Sequence, residues 1–218
     1  MSYPTLRLHP RKEESVLRFH PWIFSGAIAS FSAPVEDGDL VSVLDSKGRP
    51  LGTGHFGGGS IAVRLLSFDA EEVIDRAFYK RRLEAALRLR LSCDLVRPVG
   101  SSDSPNTAYR LVHGEGDGLP GLIIDIYDRT AVVQAHSLGM HQARQTIAEV
   151  LWKVFAEAGD PVLPLEGIYY KSETTLPTRD MRELASDGFL IGHTEAAPIY
   201  ENGVRFTPDW LKGQKTGF

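Results

Sequence analysis

The stretch Tyr109–Tyr127, YRLVHGEGDGLPGLIIDIY, decides how this chain folds. Its centre, GEGDGLPG (Gly114–Gly121), has two readings. A glycine-rich turn that follows a strand and opens a helix would cradle a phosphate on its backbone amides and imply a nucleotide-binding α/β protein. A glycine-rich turn between two strands would instead build an antiparallel hairpin. The residues favour the second reading. LIIDIY continues after the turn in apolar, strand-forming residues, and Glu115 and Asp117 would repel a phosphate. The segment is therefore expected to be a fixed structural corner, with direct ligand contact as the alternative.

The same strand-and-turn pattern extends to both sides. Downstream, GMHQARQTIAEVLWKVFAEAG is amphipathic at helical spacing and stops at Gly159. EGIYYKS and GFLIG read as strands, and PIYENGVRFTP reads as a hairpin turning on Asn202-Gly203. Two strands, a helix and two more strands predict an α+β sandwich. Upstream, TLRLH, LVSVLD, PLGTGHF and IAVRLL are short strand-like runs cut by EDGD, SKGRP and FGGGS, the pattern of a small barrel. One segment departs from it: FHPWIFSGAIASF places Trp22, Ile23, Ala27 and Ile28 as in a short helical turn entered through Pro21. Between the two parts, AEEVIDRAFYKRRLEAALRLRLS predicts a helix capped by Asp69, with Val73, Ala77, Leu83, Leu87 and Leu91 on its apolar face.

Composition sets limits. With 42% hydrophobic and 24% charged residues, the chain falls in the range of folded globular proteins rather than disordered ones. The net charge of −4 hides an uneven distribution. Residues 1–70 carry seven Lys/Arg against seven Asp/Glu, residues 71–100 seven against five, and residues 101–218 ten against sixteen, so the first hundred residues hold the positive excess. The predicted helix adds Arg76, Lys80, Arg81, Arg82, Arg88 and Arg90 on its solvent side, either a solvated face or a stripe for nucleic acid.

The lone Cys93 excludes an internal disulfide framework and a multi-cysteine zinc site, and it is read as a small half-buried residue at a helix end. The seven histidines show no metal-ligand spacing, so no metal site is predicted. KGQKTG lacks the spacing of a phosphate loop, and no nucleophile elbow is present. No stretch approaches 18 apolar residues, and MSYPTLRLHPRKEE carries no apolar segment after its charges, so no membrane association and a cytoplasmic location are expected.

Three segments taken together are more specific: RFHPWIFSGAI (Arg18–Ile28), Tyr109–Tyr127, and DWLKGQKTGF (Asp209–Phe218). In this order they resemble the PUA-containing, S-adenosylmethionine-dependent 23S ribosomal RNA methyltransferases that make 5-methylcytosine. The resemblance spans the whole chain. It implies an N-terminal PUA-like mixed β pseudo-barrel at residues 1–72, a central α/β domain at 73–192 that begins with the basic helix, and a hairpin at 193–218 that opens a methyltransferase domain. In that family GQKTGF is followed by a Rossmann-like domain holding the cofactor loop, an Asp-Pro-Pro motif and the catalytic Cys. The resemblance thus implies a chain truncated before its catalytic domain, with no catalytic residue of its own. Cys93 matches no catalytic position.

S-adenosylmethionine is the family's cofactor, and Lys215 and Thr216 match positions beside its pocket in a complete enzyme. For this chain alone no cofactor binding is expected. The candidate RNA contacts are Arg7, Arg11, Lys12, Arg18, Arg49 and Arg64 in the barrel and Arg81 and Arg82 on the helix. Trp22 is read as a core anchor rather than a stacking platform. A homodimer is a further expectation, made from the apolar Trp210, Leu211 and Phe218. A free-standing PUA-type module that binds RNA or protein is the alternative function.

Overall fold

The computed structural model describes residues 3–101, 103–176 and 187–209. Strict alternation in LVSVL sends Val41 and Val43 inward and their neighbours outward, and this segment forms β4 (Leu40–Leu44) near the middle of the first sheet. The other strands of that sheet are β1 (Thr5–Leu8), β2 (Trp22–Phe24), β3 (Ile28–Phe31), β5 (Pro50–Phe56) and β6 (Ile61–Ser67). They run in the order β2-β6-β5-β4-β1-β3, with only β1 and β4 parallel. Leu6, Leu8, Ile23, Val41, Val43, Val63 and Leu65 pack as one core against Val16 from α1 (Glu14–Leu17).

The predicted helical turn in FHPWIFSGAIASF is corrected. Trp22–Phe24 is a strand paired to β6, Ser25–Ala27 is one 3₁₀ turn, and the chain then returns as β3. Alternation decides this, because Ile23 points into the core while Trp22 and Phe24 do not, and the reading of Trp22 as a core anchor is corrected with it: Trp22 is half-buried and faces Glu115.

The second sheet runs β11-β10-β9-β8-β7. Its strands are β7 (Ala108–His113), β8 (Leu122–Tyr127), β9 (Thr130–Ala135), β10 (Gly167–Tyr170) and β11 (Gly188–Gly192). Three strands precede the helices rather than two, because Asp128 takes a left-handed conformation and turns β8 back into β9. β9 and β10 are parallel, which requires a crossover. α3 (Leu138–Gln142) and α4 (Arg144–Ala158) supply it, and Gly159 ends it as expected.

α2 (Arg76–Ser92) packs beside α4 and buries Phe78, Tyr79, Leu83, Ala86 and Leu87, with Phe78 and Leu83 fully enclosed. Such side chains contribute roughly 1.5–3 kcal/mol each. The opposite face of the sheet is partly covered by the hairpin of β12 (Ile199–Glu201) and β13 (Val204–Phe206), with Ile199 buried against Ala108, Tyr127 and Val132. Asn202 and Gly203 both have positive φ, as the two-residue hairpin turn demands.

Three expectations about α2 are revised. Its N-cap is Asp75, whose side chain accepts from the Phe78 amide, whereas Asp69 accepts only from Glu71 in the preceding turn. Val73 and Ala77 are exposed, since the apolar face is set by the later start. Cys93 is exposed rather than half-buried.

The two sheets meet along one row of side chains. Trp22, Arg64 and His55 are cross-strand partners on β2, β6 and β5, and all face the second sheet's layer. Trp22 Nε1 donates to Glu115 at 2.6 Å. The His55 ring lies where Gly139 leaves room, for a Cβ there would fall 2.2 Å from its Cγ. Burial, with Arg64 beside it, pushes the His55 pKa down from 6.5 to about 4.

Asp75→Ala is expected to lower stability by about 1 kcal/mol in urea unfolding, and Asp69→Ala by much less. His55 gives a second expectation. Because its folded pKa is depressed, its neutral form stabilises fully above pH 6.5 and that stability is lost as pH falls towards 4. The native chain should lose roughly 3 kcal/mol more over that window than His55→Gln, measured by urea unfolding at pH 7, 5.5 and 4.5.

Candidate nucleic-acid interface

The chain leaves β1 through a turn closed by the Lys12 amide on the His9 carbonyl, with Arg11 at φ 66°. α1 follows, and Phe19 reverses the chain at φ 61° before His20 hydrogen-bonds back to Ser15. Positive φ is uncommon outside glycine and costs about 1 kcal/mol or more for a bulky residue. These two reversals bracket α1 and bring Arg11, Lys12, Arg18 and His20 around one open groove of about 470 Å³. Glu14 and Ser15 complete its wall. Arg18 meets Glu14 at 3.4 Å, and with both side chains well exposed this pair holds little energy.

An aromatic pair adjoins the groove. Phe19 is 73% exposed and stands edge-on to Phe68, ring centroids 5.3 Å apart. Sequence reasoning passed over both, although FHP before a strand and FD after one marked aromatics with no alternating position to fill. An exposed, strained aromatic beside cations is the combination that unstacked bases and phosphates use.

The other predicted contacts lie elsewhere. Arg7 and Arg49 share the β4–β5 turn, where Arg7 Nη1 donates to the Ser46 carbonyl at 3.2 Å and Arg49 Nε to Asp45 at 2.6 Å. Arg64 lies in the seam between the sheets, where burial holds its pKa below the ordinary value and Glu115 opposes that shift. Arg81 is paired to Glu72 at 2.6 Å, and Arg82 donates to the Leu66 carbonyl at 3.1 Å over the Phe78 ring. The eight residues thus occupy four places, and only Arg11, Lys12 and Arg18 share a groove. Lys215 and Thr216 lie outside the described residues, as do Trp210, Leu211 and Phe218.

Of the two readings of the α2 cations, a solvated face or a stripe for nucleic acid, the structure weakens the second: among the described residues all six but Arg88 are in ion pairs. Arg76 pairs with Glu149 at 2.6 Å and Lys80 with Glu157 at 2.8 Å, both on α4, so these cations bind helix to helix. Arg90 is buried and forms a two-pronged pair with Asp117, while its Nε donates to the Arg110 carbonyl at 2.9 Å. That pair holds Gly114–Asp117 as a 3₁₀ turn that leads into β8, the structural corner expected.

Neither glycine-rich turn opens a helix: Gly114–Gly121 enters β8 and Gly57–Gly59 joins β5 to β6. The described residues therefore do not fit the pyrophosphate- or ribose-binding arrangement of a dinucleotide-type fold. Among them no three His, Cys, Asp or Glu stand where they could hold a metal, and no helix is long and apolar enough to cross a membrane.

Residues 6–68 match the PUA-like domain family. The chain is 38% identical over 216 residues to the ribosomal RNA large subunit methyltransferase I of Shewanella amazonensis, covering 98% of this chain and 50% of that protein. It is 34% identical over 219 residues to the protein of that name from Klebsiella pneumoniae, covering 99% and 51%. The chain therefore spans about half the length of the curated relatives it matches. Among solved structures, a protein from Streptococcus mutans assigned as a SAM-dependent methyltransferase superposes with a TM-score of 0.70 at 19% identity, over 94% of this chain and 48% of that one. A structure assigned as a methyltransferase complexed with SAH gives 0.71 at 18%, over 94% and 47%. At these identities the likeness is one of fold. The chain is thus a mixed α+β fold, a PUA-like first sheet followed by a second sheet with its helices, of a kind found within proteins assigned as methyltransferases.

Proposed function

We propose that this chain is the RNA-holding and targeting portion of an S-adenosylmethionine-dependent methyltransferase that makes 5-methylcytosine in 23S ribosomal RNA. The observation that carries the reading is the groove of Arg11, Lys12, Arg18 and His20 beside the exposed Phe19–Phe68 pair, on the segment that matches a PUA-like domain. Phosphate contacts by the cations supply affinity, and the aromatics take an unstacked base. The names of the relatives supply the class of RNA.

On this reading residues 1–72 grip the RNA, residues 73–192 bridge to the catalytic part, and residues 193–218 lead into it, with Lys215 and Thr216 beside the cofactor. S-adenosylmethionine supplies the methyl group in such enzymes. No step of the transfer is assigned to the described residues.

A structured fragment of 23S ribosomal RNA should bind the full chain with a steep salt dependence. Replacing Arg11, Lys12 and Arg18 together by Ala should weaken binding and reduce the slope of log affinity against log salt by about 2 to 3, one phosphate contact per cation. Unchanged affinity and slope would overturn the reading. Phe19→Asn should act oppositely on stability and binding. Asn tolerates the left-handed backbone, so unfolding should require about 0.5–1 kcal/mol more, while loss of the ring should weaken RNA binding several-fold. Urea unfolding and fluorescence anisotropy on the same variant separate the two effects.

A further inference from the structure

The row of residues at the seam leaves more than a packing contact. Beside it opens a cavity of about 280 Å³, near the lower end of small-ligand pockets and suited to one heterocyclic base. The polar groups that line it are Asp37, His55, Ser60, Arg64 and Ser137, with the Gly57–Gly59 loop as a thin wall.

His55 has a buried ring nitrogen without a partner, and the charged ends of the half-buried Arg64 and Asp37 make no hydrogen bond among the described residues. His55 is 94% buried by its 6% exposure, and its Nδ1 has no hydrogen bond. Among the described residues the Arg64 guanidinium makes no hydrogen bond, although the charge of Glu115, which accepts from Trp22, acts on it. The Asp37 carboxylate accepts none either; only its backbone carbonyl does, from Gln142. A buried polar atom without a partner costs free energy and is rare in folded proteins unless something binds there. Ser137 is partly used, accepting from the Met140 amide at 3.4 Å.

The set of groups selects its occupant. A simple anion would meet Arg64 but also Asp37, and a cation the reverse. What satisfies both is a planar group with two adjacent donors beside an acceptor edge. Guanine has that pattern: its N1–H and N2–H match a carboxylate, and its O6 and N7 accept from an arginine. Adenine and cytosine would set a ring acceptor against the carboxylate and an amino group against the arginine. Uracil would set a carbonyl against the carboxylate. A neutral His55 adds one further donor or acceptor without repelling Arg64.

We infer that the cavity between the two sheets receives a single guanine nucleotide of unstacked RNA, read by Asp37 and Arg64 with His55 at its floor. This rests on the RNA-holding reading above and extends it from backbone affinity to base choice.

The test uses the full chain with guanosine 5′-monophosphate and adenosine 5′-monophosphate as separate probes, followed by proton–nitrogen NMR of the histidine rings. Guanosine monophosphate should bind at least about tenfold more tightly than its adenosine counterpart and should shift the His55 ring signals. Asp37→Asn should remove the preference for guanine while the adenosine probe is unaffected. Arg64→Gln should weaken guanosine monophosphate by about tenfold or more, with the fold checked by its melting curve. Equal binding of both nucleotides, or binding that leaves His55 unmoved, overturns the guanine pocket. If the structured RNA still binds through Arg11, Lys12 and Arg18 in that case, the RNA-holding reading stands. Guanosine binding at the seam without any binding of structured RNA keeps the pocket and overturns the larger reading.

Discussion

The pair of Arg90 and Asp117 is the constraint on which the arrangement depends. Both side chains are almost fully buried, and removing either would leave the other charge without a partner, at about 3–5 kcal/mol. A pair of this kind need not add net stability over an apolar replacement, but it fixes position. Asp117 also accepts from the His113 amide at 2.6 Å, and Gly118 follows it in a left-handed conformation. The corner is therefore held from α2 beneath and from its own backbone.

From that corner the two sheets are joined. Glu115, two residues from Asp117, is presented to Trp22 and stands near Arg64, and the cross-strand row on the barrel continues to His55 and Gly139. One rigid turn thus determines how the barrel meets the second sheet, and with it the shape of the seam cavity. The groove beside α1 is made differently, by two strained reversals at Arg11 and Phe19 rather than by burial. Strain at an exposed aromatic is costly to stability alone and is commonly retained where a surface binds something.

Much of the fold was legible because it rests on local chemistry. The alternation of Val41 and Val43, the Asn202-Gly203 turn, the stop at Gly159 and the strand character of LIIDIY each follow from side-chain period or backbone freedom. The cap of α2 was misplaced at Asp69 because two aspartates precede the helix and EEVI between them looks helical in composition. Only the hydrogen bond from Phe78 to Asp75 shows where the helix begins. FHPWIFSGA misled for a similar reason, since apolar residues three and four apart occur by chance in a strand of three followed by a turn.

The candidate site was legible only in part. Arg11, Lys12 and Arg18 are close in sequence, and a short helix was enough to gather them. Arg81, Arg82 and Arg90 had the same charge in the sequence, yet acquire partners from Glu72, Leu66 and Asp117, which are near only after folding. By itself the sequence determined the strand character of LVSVL and LIIDIY, the Asn202-Gly203 turn, the helix stop at Gly159, the corner at Gly114–Asp117 and the positive excess of the first hundred residues, because these depend on residues a few positions apart. Tertiary structure alone decided which cations remain free, that Trp22, Arg64 and His55 stand in one row, and that Asp37 shares their cavity. Charge and hydrogen-bonding capacity are properties of a residue, but whether they are spent is a property of its neighbours in space.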